Sequence, residues 1–252
     1  MIDLSLILPC YKDAPHLRAS VVEIVRVLES IRCSWEIIFV NDASPDRDRE
    51  VIRELLAEDS SGRLRFIDHE KNTGRGEAVR DGFLAARGEF CGFIDIDLEV
   101  PAIYMLSMLL ALQQGADVAC AHRIYKLRLG ILHRAVLSRG YSFLTRLLLR
   151  NNMPDTEAGY KFFRRERVLP VLATCEDPGW FWDTEIMLRC QMAGLKIAFP
   201  PTLFLRRADK ASTVRIAHDV VEYWRRLLRF RSMRRAGQIQ VPDLTVPPPP
   251  LS

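Results

Sequence analysis

No window of the 252-residue sequence reaches the roughly 18 apolar residues that a membrane-spanning helix needs. The longest candidate, Ile103 to Leu112, stops at Gln113-Gln114-Gly115. The first residues, Met-Ile-Asp-Leu-Ser, have neither the basic opening nor the apolar stretch of a signal peptide. Paired cysteine spacing is also missing. Cys10, Cys33, Cys91, Cys120, Cys175 and Cys190 therefore read as buried thiols in a reducing compartment, not as a disulfide or zinc framework. There is no internal repeat. Acidic residues are absent between Val118 and Pro154, where Arg123, Lys126, Arg128, Arg134, Arg139, Arg146 and Arg150 fall. A second basic block runs from Arg225 to Arg235. The net charge of +4 is too modest to argue for nucleic acid as a partner. These absences lead to the expectation of a cytoplasmic protein whose membrane contact is peripheral.

What is present is an alternation of short apolar runs and helical patterns. Leu4 to Leu8, Glu36 to Val40, Leu64 to Ile67 and Cys91 to Ile94 predict buried parallel strands. Between them, Ala14 to Ser30 sets Leu17, Val21, Ile24, Val25 and Leu28 at helical spacing; Arg49 to Ala57 and Gly76 to Arg87 repeat it. The order predicts a doubly wound α/β sheet, whose ligands gather beyond the carboxyl ends of its strands. Further along, the patterns predict a helix over Ala102 to Gln114, a strand over Asp117 to Ala121 and a helical stretch over Leu127 to Leu149. Short strands follow at Gly159 to Phe163 and Lys196 to Phe199, around a helix at Thr184 to Met192. From Val214 to Arg235, Ile216, Val220, Val221, Trp224, Leu227 and Leu228 share one stripe with arginines alongside. Pro247 to Pro250 make the tail a disordered or polyproline segment.

The chemistry concentrates at Phe93-Ile94-Asp95-Ile96-Asp97-Leu98-Glu99. Acids at i, i+2 and i+4 of an extended chain share one side. Three hard oxygen donors at a strand end suit Mg²⁺ or Mn²⁺, although an acidic turn closing a strand has the same look. Pro9-Cys10-Tyr11-Lys12-Asp13 is a turn after the first strand. Asp42 can accept hydrogen bonds from a ligand or cap the next helix. Lys71-Asn72-Thr73-Gly74-Arg75-Gly76 brings two glycines and two cations to a helix entrance, suited to anions or to a plain helix-entry loop. It lacks the Gly-Lys-Ser/Thr ending of a Walker loop.

Leu-Pro-x-Tyr, Asn-Asp-Ala-Ser-x-Asp, Asn-Thr-Gly-x-Gly-x-Ala and Asp-x-Asp occur here in that order. Together they resemble family 2 glycosyltransferases of the GT-A fold, and more narrowly the polyprenyl-phosphate sugar synthases of the dolichol-phosphate mannose synthase type. The resemblance covers residues 3–213. It implies a GT-A domain at 1–213; beyond it, the residue pattern itself predicts a basic interfacial helix at 214–236 and a proline-rich tail at 237–252. It also implies nucleotide-sugar contacts from Pro9, Tyr11, Asp13, Asp42, Lys71, Asn72, Gly74, Gly76, Asp95 and Ile96. Asp95, Asp97 and Glu99 are implied metal ligands, Glu99 standing where relatives often carry Gln. Asn41 replaces an acid often seen beside Asp42.

Asp155 to Arg164 and Trp182-Asp183-Thr184-Glu185 resemble the family's acceptor-side motifs. Locally, Asp183 is also a plausible helix N-cap with Glu185 in the first turn. The resemblance assigns catalysis to Asp97, Arg123, Arg139 and Asp183, with Arg134 and Arg146 as rivals of Arg139. Arg123, Arg139, Lys161, Glu185, Lys210 and Ser212 are its acceptor-phosphate residues. The expected reaction moves a hexose, mannose ahead of glucose, from a GDP-mannose or UDP-glucose type donor to a polyprenyl phosphate with inversion. An acceptor phosphate is ionised near neutral pH, its second pKa being about 6, so no strong general base is needed. Rival readings are a GT-A transferase acting on a saccharide hydroxyl and a catalytically silent membrane-associated scaffold. The helix from Val214 and the acid-free stretch offer basic faces for a membrane surface, or pack on the core or a second subunit.

Overall fold

The computed structural model describes residues 2–125, 151–205 and 216–244, with the backbone alone for 216–220. The apolar runs form its centre. β1 (Leu4–Cys10), β2 (Trp35–Asn41), β3 (Leu64–Asp68) and β4 (Phe90–Ile94) run parallel. They are joined by α1 (Ala14–Ser30), α2 (Asp48–Glu58) and α3 (Arg75–Ala85). All of β2 and β4 is buried, as continuous apolar strands covered on both faces must be. α1 turns Leu17, Val21, Ile24 and Leu28 inward; Val27 joins them, and Val25 is only half-buried.

Beyond β4 the sheet becomes mixed, in the order β3-β2-β1-β4-β7-β5-β8. β7 (Tyr160–Arg164) lies antiparallel between β4 and β5 (Val118–Cys120). A 3-10 turn at Ala102–Tyr104 leads into α4 (Met105–Gln113). This is the GT-A arrangement. Three elements escape the sequence pattern. β6 (His122–Tyr125) and β9 (Pro201–Phe204) form a separate parallel ribbon, and α5 (Arg165–Leu172) follows β7 directly. The strand predicted at Lys196 to Phe199 shrinks to β8 (Ile197–Ala198) on the sheet edge. There the chain leaves the main sheet through Pro200 and Pro201, which have no N–H to donate, and pairs with β6 instead. The predicted helix at Leu127 to Leu149 lies outside the described residues.

α6 (Trp182–Met192) and α7 (Ile216–Arg235) complete the fold. The stripe on α7 is divided. Leu227 and Phe230 are buried, and the Tyr223 and Phe230 rings pack on Phe181 with centroids at 5.2 and 5.8 Å. Val221 and Leu228 remain exposed beside Arg225 and Arg229. The helix is thus an integral wall of the domain. The segment after it also differs from the expected loose tail: Ile239 is buried, and the carbonyls of Gln240 and Leu244 accept bonds from Arg189 and Arg167. The proline run at 247–250 lies outside the described residues. All six cysteines are free, five of them buried and Cys33 half-buried. No helix among the described residues is long and apolar enough to cross a membrane.

Candidate active site

The acids stand where β4 ends. Burial alternates from Asp95 to Val100, with Ile96, Leu98 and Val100 buried and Asp95, Asp97 and Glu99 partly open. The strand has already ended here: Leu98, at φ 51°, donates its N–H to the Asp95 carbonyl at 3.2 Å, and this turn brings the three acids to one cavity. Asp95 is fixed from two directions. Its N–H donates to the Gly159 carbonyl at 2.9 Å, continuing the pairing of Ile94 with Tyr160. Its Oδ2 lies against Gly159, where an added Cβ would sit 1.8 Å away. Only glycine admits that approach. A cavity of about 90 Å³ opens among Asp95, Asp97, Glu99, Arg123, Gly159 and Phe204.

Arg75, the first residue of α3, crosses the site. Its Nη2 pairs with Asp95 Oδ1 at 2.6 Å, and its Nη1 with Asp183 Oδ2. Lys161 Nζ takes the other Asp183 oxygen at 2.5 Å and the Ala158 carbonyl at 2.5 Å. Burial would lower the Arg75 pKa, but Asp183 and Asp95 reverse that and hold the guanidinium firmly charged. Thr184 and Tyr223 hydroxyls share a hydrogen bond at 2.6 Å, and Thr156 and Thr184 another at 3.1 Å, which ties α7 to this wall.

Arg123, on β6, grips Asp155 with Nε–Oδ2 at 2.7 Å and Nη2–Oδ1 at 3.0 Å, the planar fork that fixes a guanidinium's orientation. Burial pushes Asp155 up, but the Arg123 charge and hydrogen bonds overcome it and leave the carboxyl below its usual range. Glu157 lies 3.9 Å from Arg123 and is pushed up to about 7, first by burial.

Asp95, Asp97, Glu99 and Arg123 therefore share one cavity, and Asp183 flanks it through Arg75. Carboxylate oxygens in one cavity are the donor set that Mg²⁺ or Mn²⁺ takes, so the residues fit such an ion in kind and place. Among the described residues no three His, Cys, Asp or Glu side chains converge as a metal centre. Arg75 already holds one oxygen of Asp95.

Other expected contacts turn out to be architecture. Asp42 accepts from Thr73 N–H at 2.8 Å, Thr73 Oγ1 at 2.9 Å and Gly74 N–H at 2.9 Å, with His69 Nδ1 also at 2.9 Å. Asn72 donates to the Asp42 carbonyl at 3.0 Å. Both therefore hold the 69–74 loop. Gly74, at φ 100°, faces the Pro178 carbonyl, and Gly76 faces Trp182. Added Cβ atoms would meet these at 2.4 and 2.6 Å, so the close approach is to the 177–182 segment of the chain itself. The Ile96 side chain is buried in the core.

Lys161 is fully buried, which removes it from any acceptor contact and makes it the support of Asp183. Glu185 accepts from the N–H groups of Glu176 and Asp177 and from Arg189 Nε at 2.8 Å, so its carboxylate orders a loop and does not bind phosphate. Pro9, Tyr11 and Asp13 lie at the end of β1, with Asp13 buried and accepting from Tyr11 N–H. Lys71 is exposed. Arg139, Lys210 and Ser212 lie outside the described residues. The sequence marks Arg75 only as a cation suited to anions at a helix entrance, and Asp155 and Glu157 only as part of an acceptor-side motif; the structure brings Arg75 to the acid rim and both acids to Arg123.

The model of glycosyl transferase family 2 matches residues 5–169. Glycosyltransferase AglD of Haloferax volcanii is 31% identical over 258 residues, which cover 97% of this chain; the chain spans 41% of that protein's length. Dolichyl-phosphate beta-glucosyltransferase of Dictyostelium discoideum is 25% identical over 247 residues, 90% of this chain and 74% of its own length. The human protein of that name is 28% identical over 210 residues, 77% of this chain and 65% of its own. Glucosyl-3-phosphoglycerate synthase of Mycobacterium tuberculosis, solved with Mn²⁺, uridine diphosphate and glucosyl-3-phosphoglycerate, shares the fold. Its TM-score is 0.66 at 18% identity, covering 94% of this chain and 80% of that one.

Proposed function

The chain belongs to glycosyl transferase family 2, and from that premise we propose that it moves glucose from a nucleoside diphosphate sugar to a polyprenyl phosphate. Several relatives are named dolichyl-phosphate beta-glucosyltransferases. They favour glucose over the mannose that the motifs alone put first. A uracil base is favoured by the solved neighbour's uridine diphosphate.

The observation that carries the reading is one small cavity lined by Asp95, Asp97, Glu99 and Arg123. The acids would hold a divalent cation, which neutralises a leaving diphosphate when bound. Opposite them, Arg123 is set by Asp155 to receive an anionic acceptor and orient it toward the anomeric carbon. A phosphate needs no base, and the site suits that demand. Asp183, with its two oxygens paired to Arg75 and Lys161, is badly disposed to take a proton from a hydroxyl. Single displacement gives inversion. Exposed Val221 and Leu228 with Arg225 and Arg229 support peripheral contact of α7 with anionic lipid, each arginine adding about 1 kcal/mol near the surface.

The test is incubation of the full chain with Mn²⁺, a short polyprenyl phosphate and either labelled UDP-glucose or GDP-mannose. Lipid-linked glucose is expected, at least tenfold faster than lipid-linked mannose. Transfer only to saccharide hydroxyls, or none with either donor, would overturn the reading.

A further inference from the structure

We propose that Arg75 is a latch on the acid rim: it occupies Asp95 while the rim is without a cation and must release it when a divalent ion binds. This rests on the reading that Asp95 belongs to the cation site, and it concerns how that site is filled.

Asp95 already serves one cation, although its side chain is 43% exposed. Oδ1 is 2.6 Å from Arg75 Nη2, and Oδ2 lies on the Gly159 backbone. A divalent cation beside Asp95 would also face the Arg75 guanidinium, a second positive group 2.6 Å from the same carboxylate. The two cations therefore compete for Asp95. Arg75 has somewhere to remain, because its Nη1 pairs with Asp183, and Lys161 anchors that carboxylate from behind. The guanidinium can pivot on Asp183 between Phe93 and Trp180, whose ring centroids are 5.3 and 5.6 Å away.

An ion arriving alone must displace Arg75 without compensation. An ion arriving with a diphosphate brings negative charge that offsets the crowding of cations. Arg75 thereby makes cation binding conditional on the nucleotide, a coupling in which each ligand raises the other's affinity equally.

The experiment measures Mn²⁺ binding to the full chain by calorimetry and by the Mn²⁺ electron paramagnetic resonance signal, with and without uridine diphosphate. Arg75→Gln is expected to bind Mn²⁺ alone at least tenfold more tightly than wild type. The factor by which uridine diphosphate improves Mn²⁺ affinity should shrink correspondingly. Arg18→Gln, which removes a surface arginine from its pairs with Glu54 and Glu58, should change neither quantity. Equal or weaker binding of Mn²⁺ to Arg75→Gln, with nucleotide binding intact, sinks the latch but leaves the cation site standing. No Mn²⁺ binding by any protein even with nucleotide sinks both. If Arg75→Gln does not fold, Arg75→Lys serves, since an ammonium lacks the planar fork whose two separate Nη atoms reach Asp95 and Asp183: Mn²⁺ should bind at least threefold tighter, and an unchanged affinity counts against the latch.

Discussion

The two sides of the sheet rim use carboxylates in opposite ways. On the side of β1 and β2, hydrogen bonds satisfy Asp13, Asp42 and Asp48: from the backbone N–H groups of Tyr11, Thr73, Gly74 and Asp13 and the Thr73 hydroxyl, with His69 Nδ1 also beside Asp42. On the side of β6, β7 and α6, cations satisfy Asp95, Asp155 and Asp183, through Arg75, Arg123 and Lys161. Hydrogen-bonded carboxylates shape loops. Ion-paired ones store charge that an arriving anion or metal can redistribute. The active chemistry is therefore expected on the ion-paired side, with the other side acting as a fixed frame.

The strongest challenge to this contrast is Lys161→Met. It leaves the buried Asp183 with a single cation, and stripping one partner from a buried pair costs about 3–5 kcal/mol. Urea unfolding should register that loss; a cost under about 1 kcal/mol would mean Asp183 is compensated elsewhere. Asp42→Ala comes next. It removes the acceptor that holds Thr73 and Gly74, and an expected cost of about 2 kcal/mol follows from hydrogen bonds to a charged group. If it cost as much as Lys161→Met in the same urea series, the division between frame and charge store would lose its energetic basis.

The smallest effect sharpens the picture on the frame side. Asp48 is raised from 3.8 to about 7, first by burial and then by Asp46 and Asp13. Between those values the folded chain keeps a proton that the unfolded chain has lost, so stability falls as pH rises through that window. Asp48→Asn cannot ionise and still offers an oxygen to the Asp13 N–H. Its Tm should exceed wild type by about 3 °C at pH 8 and match it at pH 4. An equal difference at both pH values would trace the effect to packing.

The parallel half was legible because its signals are local and repeated. β1, β2 and β4 are continuous apolar runs, and α1 has its stripe; predicted and observed ends agree within two residues. β6 and β9 were not legible. His122 to Tyr125 is half-exposed and without alternation, and Pro201 disguises its partner. Each strand exists only because the other lies beside it. In the site, Asp95 and Asp97 were legible as acids at a strand end and Arg123 only through the resemblance; that they line one cavity is the structure's contribution. Lys161, Glu185, Gly74 and Gly76 meet neighbours of the chain itself, because a residue type states what a group can bind, not which neighbour reaches it first.

The kinship with sugar-transferring enzymes was carried by the order of the motifs; periodicity and residue chemistry alone determined the doubly wound core and the acid-bearing strand end. Those depend on hydrophobic burial, whose period is written into neighbouring residues. Only the tertiary structure decided that Arg75, on α3, would lie between acids 20 and 108 positions further along the chain. Buried charge must find its compensation wherever packing brings an opposite charge, and packing is a property of the whole fold.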